Sequence, residues 1–141
     1  MEDRQRELFT AAQIVAAGIA AWYLITLRTP WNAQRIAGTV LFVLGVSGIV
    51  AARIQLGRSF SIAAQARKLI TTGIYSKIRN PIYVFGTVFF TGLILIVQRP
   101  VLWIFLVILV IGQTLRARRE AKVLETAFGD EYREYRKKTW F

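Results

Sequence analysis

Apolar residues fall into four long blocks, Leu8–Leu27, Ile36–Ala52, Pro81–Gln98 and Val101–Leu115, each nearly free of charge. Within Val40–Val50 and Trp103–Gly112 no polar face returns with a helical period, so these stretches are apolar all round, unlike the helices of a soluble bundle. Each block has roughly the 15–20 residues a helix needs to cross hydrocarbon, the shorter ones by snorkelling or thinning the bilayer. The pattern predicts an all-α, polytopic integral membrane protein forming one domain over residues 1–141. Its elements are four transmembrane helices at about 8–27, 36–52, 81–98 and 101–115, a loop over 53–80 and C-terminal amphipathic helices over 116–138. The first block reads as a span rather than a cleaved signal peptide: Glu2, Asp3 and Glu7 stand beside Arg4 and Arg6 in its leader, and three more spans follow.

Composition narrows the chemistry. The chain has no Cys and no His, which excludes a Cys nucleophile, a Ser-His-Asp triad, a thiolate or imidazole metal site and a disulfide framework. A net charge of +11 and a pI near 10.9 would suit a nucleic-acid binder, but 55% hydrophobic residues and a mean hydropathy of +0.42 point to a lipid bilayer as the partner instead. All but three of the 19 Lys and Arg residues lie before the first block, between the second and third, or after the fourth; the exceptions are Arg28, Arg35 and Arg99. The positive-inside rule therefore puts both termini and the loop in the cytoplasm. The outer connections, around Thr29-Pro30-Trp31-Asn32 and Arg99-Pro100, are too short to hold a site, so function is expected on the cytoplasmic face. No acidic residue occurs from Leu8 to Arg119, which argues against a proton-coupled exporter needing an ionisable group within a span.

Two stretches carry candidate chemistry. The loop contains Leu56-Gly57-Arg58-Ser59-Phe60-Ser61, then Arg67-Lys68-Leu69-Ile70-Thr71-Thr72-Gly73-Ile74-Tyr75, then Arg79-Asn80-Pro81-Ile82-Tyr83 running into the third block. Pro81 suits a first helical residue, and the N–H groups of the turn after it, with Lys77 and Arg79 nearby, would suit a carboxylate or phosphate. The same basic loop would also attract anionic lipid head groups. After the fourth block, Arg116, Glu120, Leu124 and Phe128 are spaced by four and share a helical face, so Arg116 and Glu120 are expected to pair while Leu124 and Phe128 pack. Gly129 is expected to end that helix. Such a pair is often a surface salt bridge of little energy, but Glu120 is the first carboxylate after more than a hundred residues and emerges at the end of a span.

From about Ile54 to the C-terminus these residues resemble the isoprenylcysteine carboxyl methyltransferases and related phospholipid methyltransferases, integral-membrane enzymes that use S-adenosylmethionine. The family pattern runs Leu-Gly-x-x-Phe, Leu-Val-Thr-x-Gly-x-Tyr, Arg-His-Pro-x-Tyr, Arg-x-x-x-Glu-Glu and Phe-Gly-x-x-Tyr-x-x-Tyr. Leu56, Gly57 and Phe60 fit the first element; Leu69, Ile70, Thr71, Gly73 and Tyr75 the second; Arg79, Pro81 and Tyr83 the third. Arg116 and Glu120 fit the fourth, and Phe128, Gly129, Tyr132 and Tyr135 the last. The resemblance implies that Lys68, Leu69, Ile70, Tyr75, Asn80, Pro81, Tyr83 and Glu120 border the cofactor. It implies that Arg116 faces a lipophilic methyl acceptor and that Arg116 and Glu120 form the catalytic pair.

Asn80 stands where the family has His, and Ala121 where it has a second Glu; related sequences also continue past the position of Phe141 into an apolar tail. Methyl transfer from a sulfonium needs neither metal nor His when the acceptor is already anionic; it needs an aligned acceptor and excluded water. A carboxylate, a thiol and a phospholipid amine all remain open as acceptors, with Arg116 favouring an anion. Two further readings stand beside this one. A non-catalytic lipid-binding or assembly relative would accommodate Asn80 and Ala121, and a sterol-type reductase would bring NADPH, although the chain is short for a sterol pocket.

Overall fold

The computed structural model describes residues 29–56 and 69–141, together with Trp22 and Thr26. Most of the 8–27 block and the stretch 57–68, with Gly57, Phe60 and Lys68, lie outside the described residues. The described residues are all-helical: α1 spans Ala33–Leu56, a 3-10 helix spans Gly73–Ser76, α2 spans Pro81–Val97 and α3 spans Leu102–Lys138.

Each boundary has a local cause. Asn32 Oδ1 accepts the Arg35 N–H at 2.9 Å, capping α1 ahead of the apolar block. Arg53 and Gln55, good helix formers, carry it a turn beyond Ala52. Pro81 opens α2, where its missing N–H costs nothing. Gln98 ends it in the left-handed conformation at φ 56°, its N–H returning to the Ile94 carbonyl at 2.8 Å. The sequence divides residues 101–115 from 116–138, but the backbone does not: α3 runs unbroken across Leu115-Arg116. Leaving the apolar block changes the surroundings of the side chains without removing any backbone hydrogen bond. The helical dihedrals fail at Gly129 (φ 50°, ψ −120°), where the axis kinks.

The helices α1 and α2 lie against each other at van der Waals contact because small residues remove the side chains between them. A Cβ at Gly45 would fall on the backbone of Phe89, and one at Gly92 on the backbone of Phe42. The Phe42 and Phe89 rings meet at a centroid distance of 4.9 Å, tilted by 37°, beside these contacts. At the far end of the pair, Gln98 and Asn32 exchange side-chain hydrogen bonds (3.1 and 3.4 Å) and Thr29 Oγ1 donates to the Ile96 carbonyl at 3.3 Å. Arg35, 5% exposed, donates to the Thr29 carbonyl and lies 4.3 Å over the Trp31 ring. These bonds tie the residues ahead of α1 to the end of α2.

By length and apolarity α1 alone among the described helices passes for a full span, at ~36 Å for its 24 residues. The 17 residues of α2 cover ~25 Å, short of the ~30 Å hydrocarbon core. The apolar first part of α3 leans on α2 through the Phe90 and Phe105 rings (5.6 Å), leaving Ile104, Ile108, Ile111 and Leu115 exposed. Such a surface is at home in lipid or against another apolar segment.

Candidate functional site

The site is assembled where α2 begins, between it and the charged part of α3. Tyr83 lies in the first turn of α2, and its hydroxyl donates to Glu120 Oε1 at 2.7 Å. Arg116, one turn earlier on α3, donates through Nε to the same oxygen at 3.0 Å. Two donors hold one oxygen in place, while Oε2 has no hydrogen-bond partner among the described residues. Arg116 spends only Nε on this pair; its side chain is 60% exposed, so both Nη groups are available to an anion outside the protein. The hydrogen bond to Glu120 raises Arg116 above its already high ordinary value, and it is cationic at every working pH.

One turn back, Asn80 is the N-cap of α2, yet its side chain makes no capping bond. Its main chain is committed instead: its carbonyl accepts from Tyr83 and Val84, and its N–H donates to the Phe141 carbonyl oxygen at 3.1 Å. The Asn80 amide makes no hydrogen bond among the described residues and is an uncommitted donor and acceptor one turn before Tyr83. Pro81 is fully buried and pins the first turn. The N–H groups expected to offer an anion site in the turn after Pro81 are partly taken up, because those of Tyr83 and Val84 donate to the Asn80 carbonyl at 3.0 and 3.2 Å; just before it, Arg79 N–H donates to the Trp140 carbonyl at 3.2 Å. Arg79 Nε is buried with no hydrogen-bond partner among the described residues.

Tyr75 belongs to a different network. The left-handed Gly73 (φ 61°) starts the 3-10 helix against Gln55, whose Oε1 accepts the Ile74 N–H at 2.8 Å. Tyr75 is 6% exposed; its hydroxyl reaches the Ala52 carbonyl of α1 at 3.4 Å, and its own carbonyl accepts the Tyr135 hydroxyl at 2.6 Å. Burial pushes both phenols up to about 12, so each stays protonated and able to donate. No hydrogen bond or ion pair joins Tyr75 to Tyr83, Arg116 or Glu120. Leu69 and Ile70 are half-buried and precede this loop. Lys68 lies outside the described residues.

The structure adds a pair that sequence reasoning missed. Thr87 Oγ1 lies 3.0 Å from both the Tyr83 carbonyl and Gln113 Oε1, and its single proton serves one of them at a time. The polar seam between α2 and α3 thus runs from Glu120 down to Gln113 before the phenylalanines close it. Gln113 stands seven residues before Glu120, hence on nearly the same face, and this spacing inside an apolar block was the available signal.

A sequence profile described as phospholipid methyltransferase matches residues 33–131, from the first turn of α1 to just past the Gly129 kink. The chain belongs to this family. Its members are integral-membrane methyltransferases, isoprenylcysteine carboxyl methyltransferases among them, and they generally take their methyl group from S-adenosylmethionine. The match includes Asn80, Pro81, Tyr83, Arg116 and Glu120, so the polar cluster lies on the family's own elements. No curated protein and no solved structure matches the chain.

Proposed function

We propose that this chain is an integral-membrane S-adenosylmethionine-dependent methyltransferase acting on a lipophilic acceptor, a carboxylate, at the cytoplasmic face. The observation that carries this reading is Glu120 held on one oxygen by Tyr83 and Arg116, with its Oε2 and the Arg116 Nη groups uncommitted among the described residues and the uncommitted Asn80 amide one turn before Tyr83. That donor set fits the cofactor: Glu120 Oε2 would accept from its ammonium or hydroxyl groups, and the Asn80 amide would bond a polar edge without carrying charge. When bound, the cofactor would supply a transferable methyl group on its sulfonium. Arg116 grips the acceptor carboxylate through its Nη groups, Glu120 keeps Arg116 from turning away, and the apolar flanks of α2 and α3 exclude water.

The proposed topology follows the charges. Residues 1–141 form one membrane domain in which α1, α2, the first part of α3 and the 8–27 block cross the bilayer, with both termini in the cytoplasm. Because α2 covers only ~25 Å, Tyr83 and Glu120 would sit at the inner edge of the hydrocarbon, where an acceptor enters sideways from the bilayer.

The test is a titration of purified protein in lipid nanodiscs with S-adenosylmethionine, S-adenosylhomocysteine and NADPH, followed by transfer of labelled methyl to lipophilic carboxylates. Saturable binding of the first two with base-labile label in the lipid fraction is expected. Binding of NADPH alone would turn the reading to a reductase, and binding of none of the three to a non-catalytic relative, which Asn80 and Ala121 would suit.

A further inference from the structure

The part of the chain past residue 131, where the profile match ends, makes contacts that the proposed reaction does not use. After the Gly129 kink, the last turns of α3 bury Tyr132 and Tyr135 at 2% and 8% exposure, and the chain then turns extended at Thr139. Trp140 pairs alongside Ile78 in a single parallel bridge, with Trp140 N–H donating to the Lys77 carbonyl at 3.0 Å and its carbonyl accepting from Arg79. Phe141 takes the Asn80 N–H. The Gly73–Asn80 segment is thereby held from both sides, by Gln55 and Ala52 of α1 and by the C-terminal segment.

The central bond of this clamp is the Tyr135 hydroxyl on the Tyr75 carbonyl, 2.6 Å long, buried, and joining residues 60 apart in sequence. A buried carbonyl that loses its donor must find water or move, and a move at Tyr75 passes along five residues of covalent chain to Asn80. We propose that Tyr135 is a positioning residue of the methyl-transfer site: by holding the Tyr75 carbonyl it fixes the Gly73–Asn80 segment, and so sets where the Asn80 amide stands relative to Tyr83 and Glu120. This rests on the cofactor reading above. It assigns the C-terminal segment a role in cofactor affinity, although no atom of it belongs to the polar cluster.

The structure supplies a matched control. Tyr132 is a buried tyrosine one turn earlier on the same kinked segment, its ring 6.2 Å from that of Tyr135, and its hydroxyl makes no hydrogen bond among the described residues. Each of Tyr135→Phe and Tyr132→Phe removes one hydroxyl and leaves the ring packing in place. The full chain in nanodiscs is compared for hydrogen exchange over residues 73–80 and for the Kd of S-adenosylmethionine, at a temperature well below both unfolding midpoints. Tyr135→Phe should speed exchange in that segment and weaken cofactor binding by roughly three- to tenfold, with Tyr132→Phe close to the wild type in both. Trp140→Pro, which deletes the N–H donated to Lys77, should act in the same direction. A merely structural role lowers the unfolding midpoint and leaves Kd unchanged, and that result overturns the proposal, as does unchanged exchange in Tyr135→Phe. A wild-type protein that does not bind S-adenosylmethionine overturns the cofactor reading by itself, and the exchange comparison then still decides whether Tyr135 fixes the segment.

Discussion

Replacing Tyr83 by Phe removes one hydroxyl from the seam between α2 and α3, and its consequence can be worked from the two bonds on Glu120 Oε1. The Tyr83 bond is 2.7 Å long and part-buried, and a hydrogen bond to a charged group contributes about 1.5–3 kcal/mol. The Arg116 bond joins side chains 60% and 32% exposed, an arrangement that contributes under about 1 kcal/mol. Tyr83 is therefore the stronger constraint on the carboxylate, and Arg116 by itself would leave Glu120 free to rotate. Because Glu120 is partly open to water, which replaces some of the lost bond, the lower end of the range applies. Affinity for S-adenosylmethionine should fall roughly tenfold, about 1.4 kcal/mol. Arg116→Gln should weaken cofactor binding by less than about threefold, since it removes only the exposed partner. Isothermal titration of both variants in nanodiscs, with circular dichroism to confirm the helices, measures the difference. Wild-type affinity in Tyr83→Phe, or a larger loss in Arg116→Gln than in Tyr83→Phe, would refute the assignment of Glu120 to the cofactor through Tyr83.

Arg116→Lys keeps the charge but loses the planar fork, so turnover of a carboxylate acceptor should fall by roughly tenfold or more with cofactor binding near normal; unchanged turnover returns the pair to a surface salt bridge. Gly45→Val places carbon on the Phe89 backbone and should destabilise the α1–α2 pair by about 1–3 kcal/mol or more in detergent unfolding. Gly112→Ala, with open space around it, should be stabilising by up to about 1 kcal/mol in the same measurement. Tyr75 and Tyr135 should ionise near 12 instead of the ordinary 10.0, read by absorbance at the phenolate band. Their protonated forms are favoured by folding, so the stability they contribute is complete below about pH 10 and falls as pH rises toward 12. Accessible tags at either terminus or near Ala64 should report cytoplasm and one near Asn32 the opposite side; a shared side for all of them contradicts the proposed topology.

Much of the local structure was legible in the chain alone. Helix α1 follows from its apolar block and α2 from Pro81 at its first position, while Gly129, expected to end the last helix, breaks its helical dihedrals and kinks α3, which runs on to Lys138; each depends on a few neighbouring residues. The Arg116–Glu120 pair was equally local, because residues four apart meet on any helix. What spacing could not supply was the partner across the interface. Tyr83 meets Glu120 over 37 residues, Thr87 meets Gln113 over 26, and Tyr135 meets Tyr75 over 60. Those meetings depend on how far each helix slides and turns against the next, which is decided by shape: Gly45 and Gly92 let α1 and α2 touch, and the Phe90–Phe105 contact sets where α3 leans. Tyr75 shows the same dependence. Its side chain fits against α1, and only the folded chain brings Tyr135 round to hold its carbonyl.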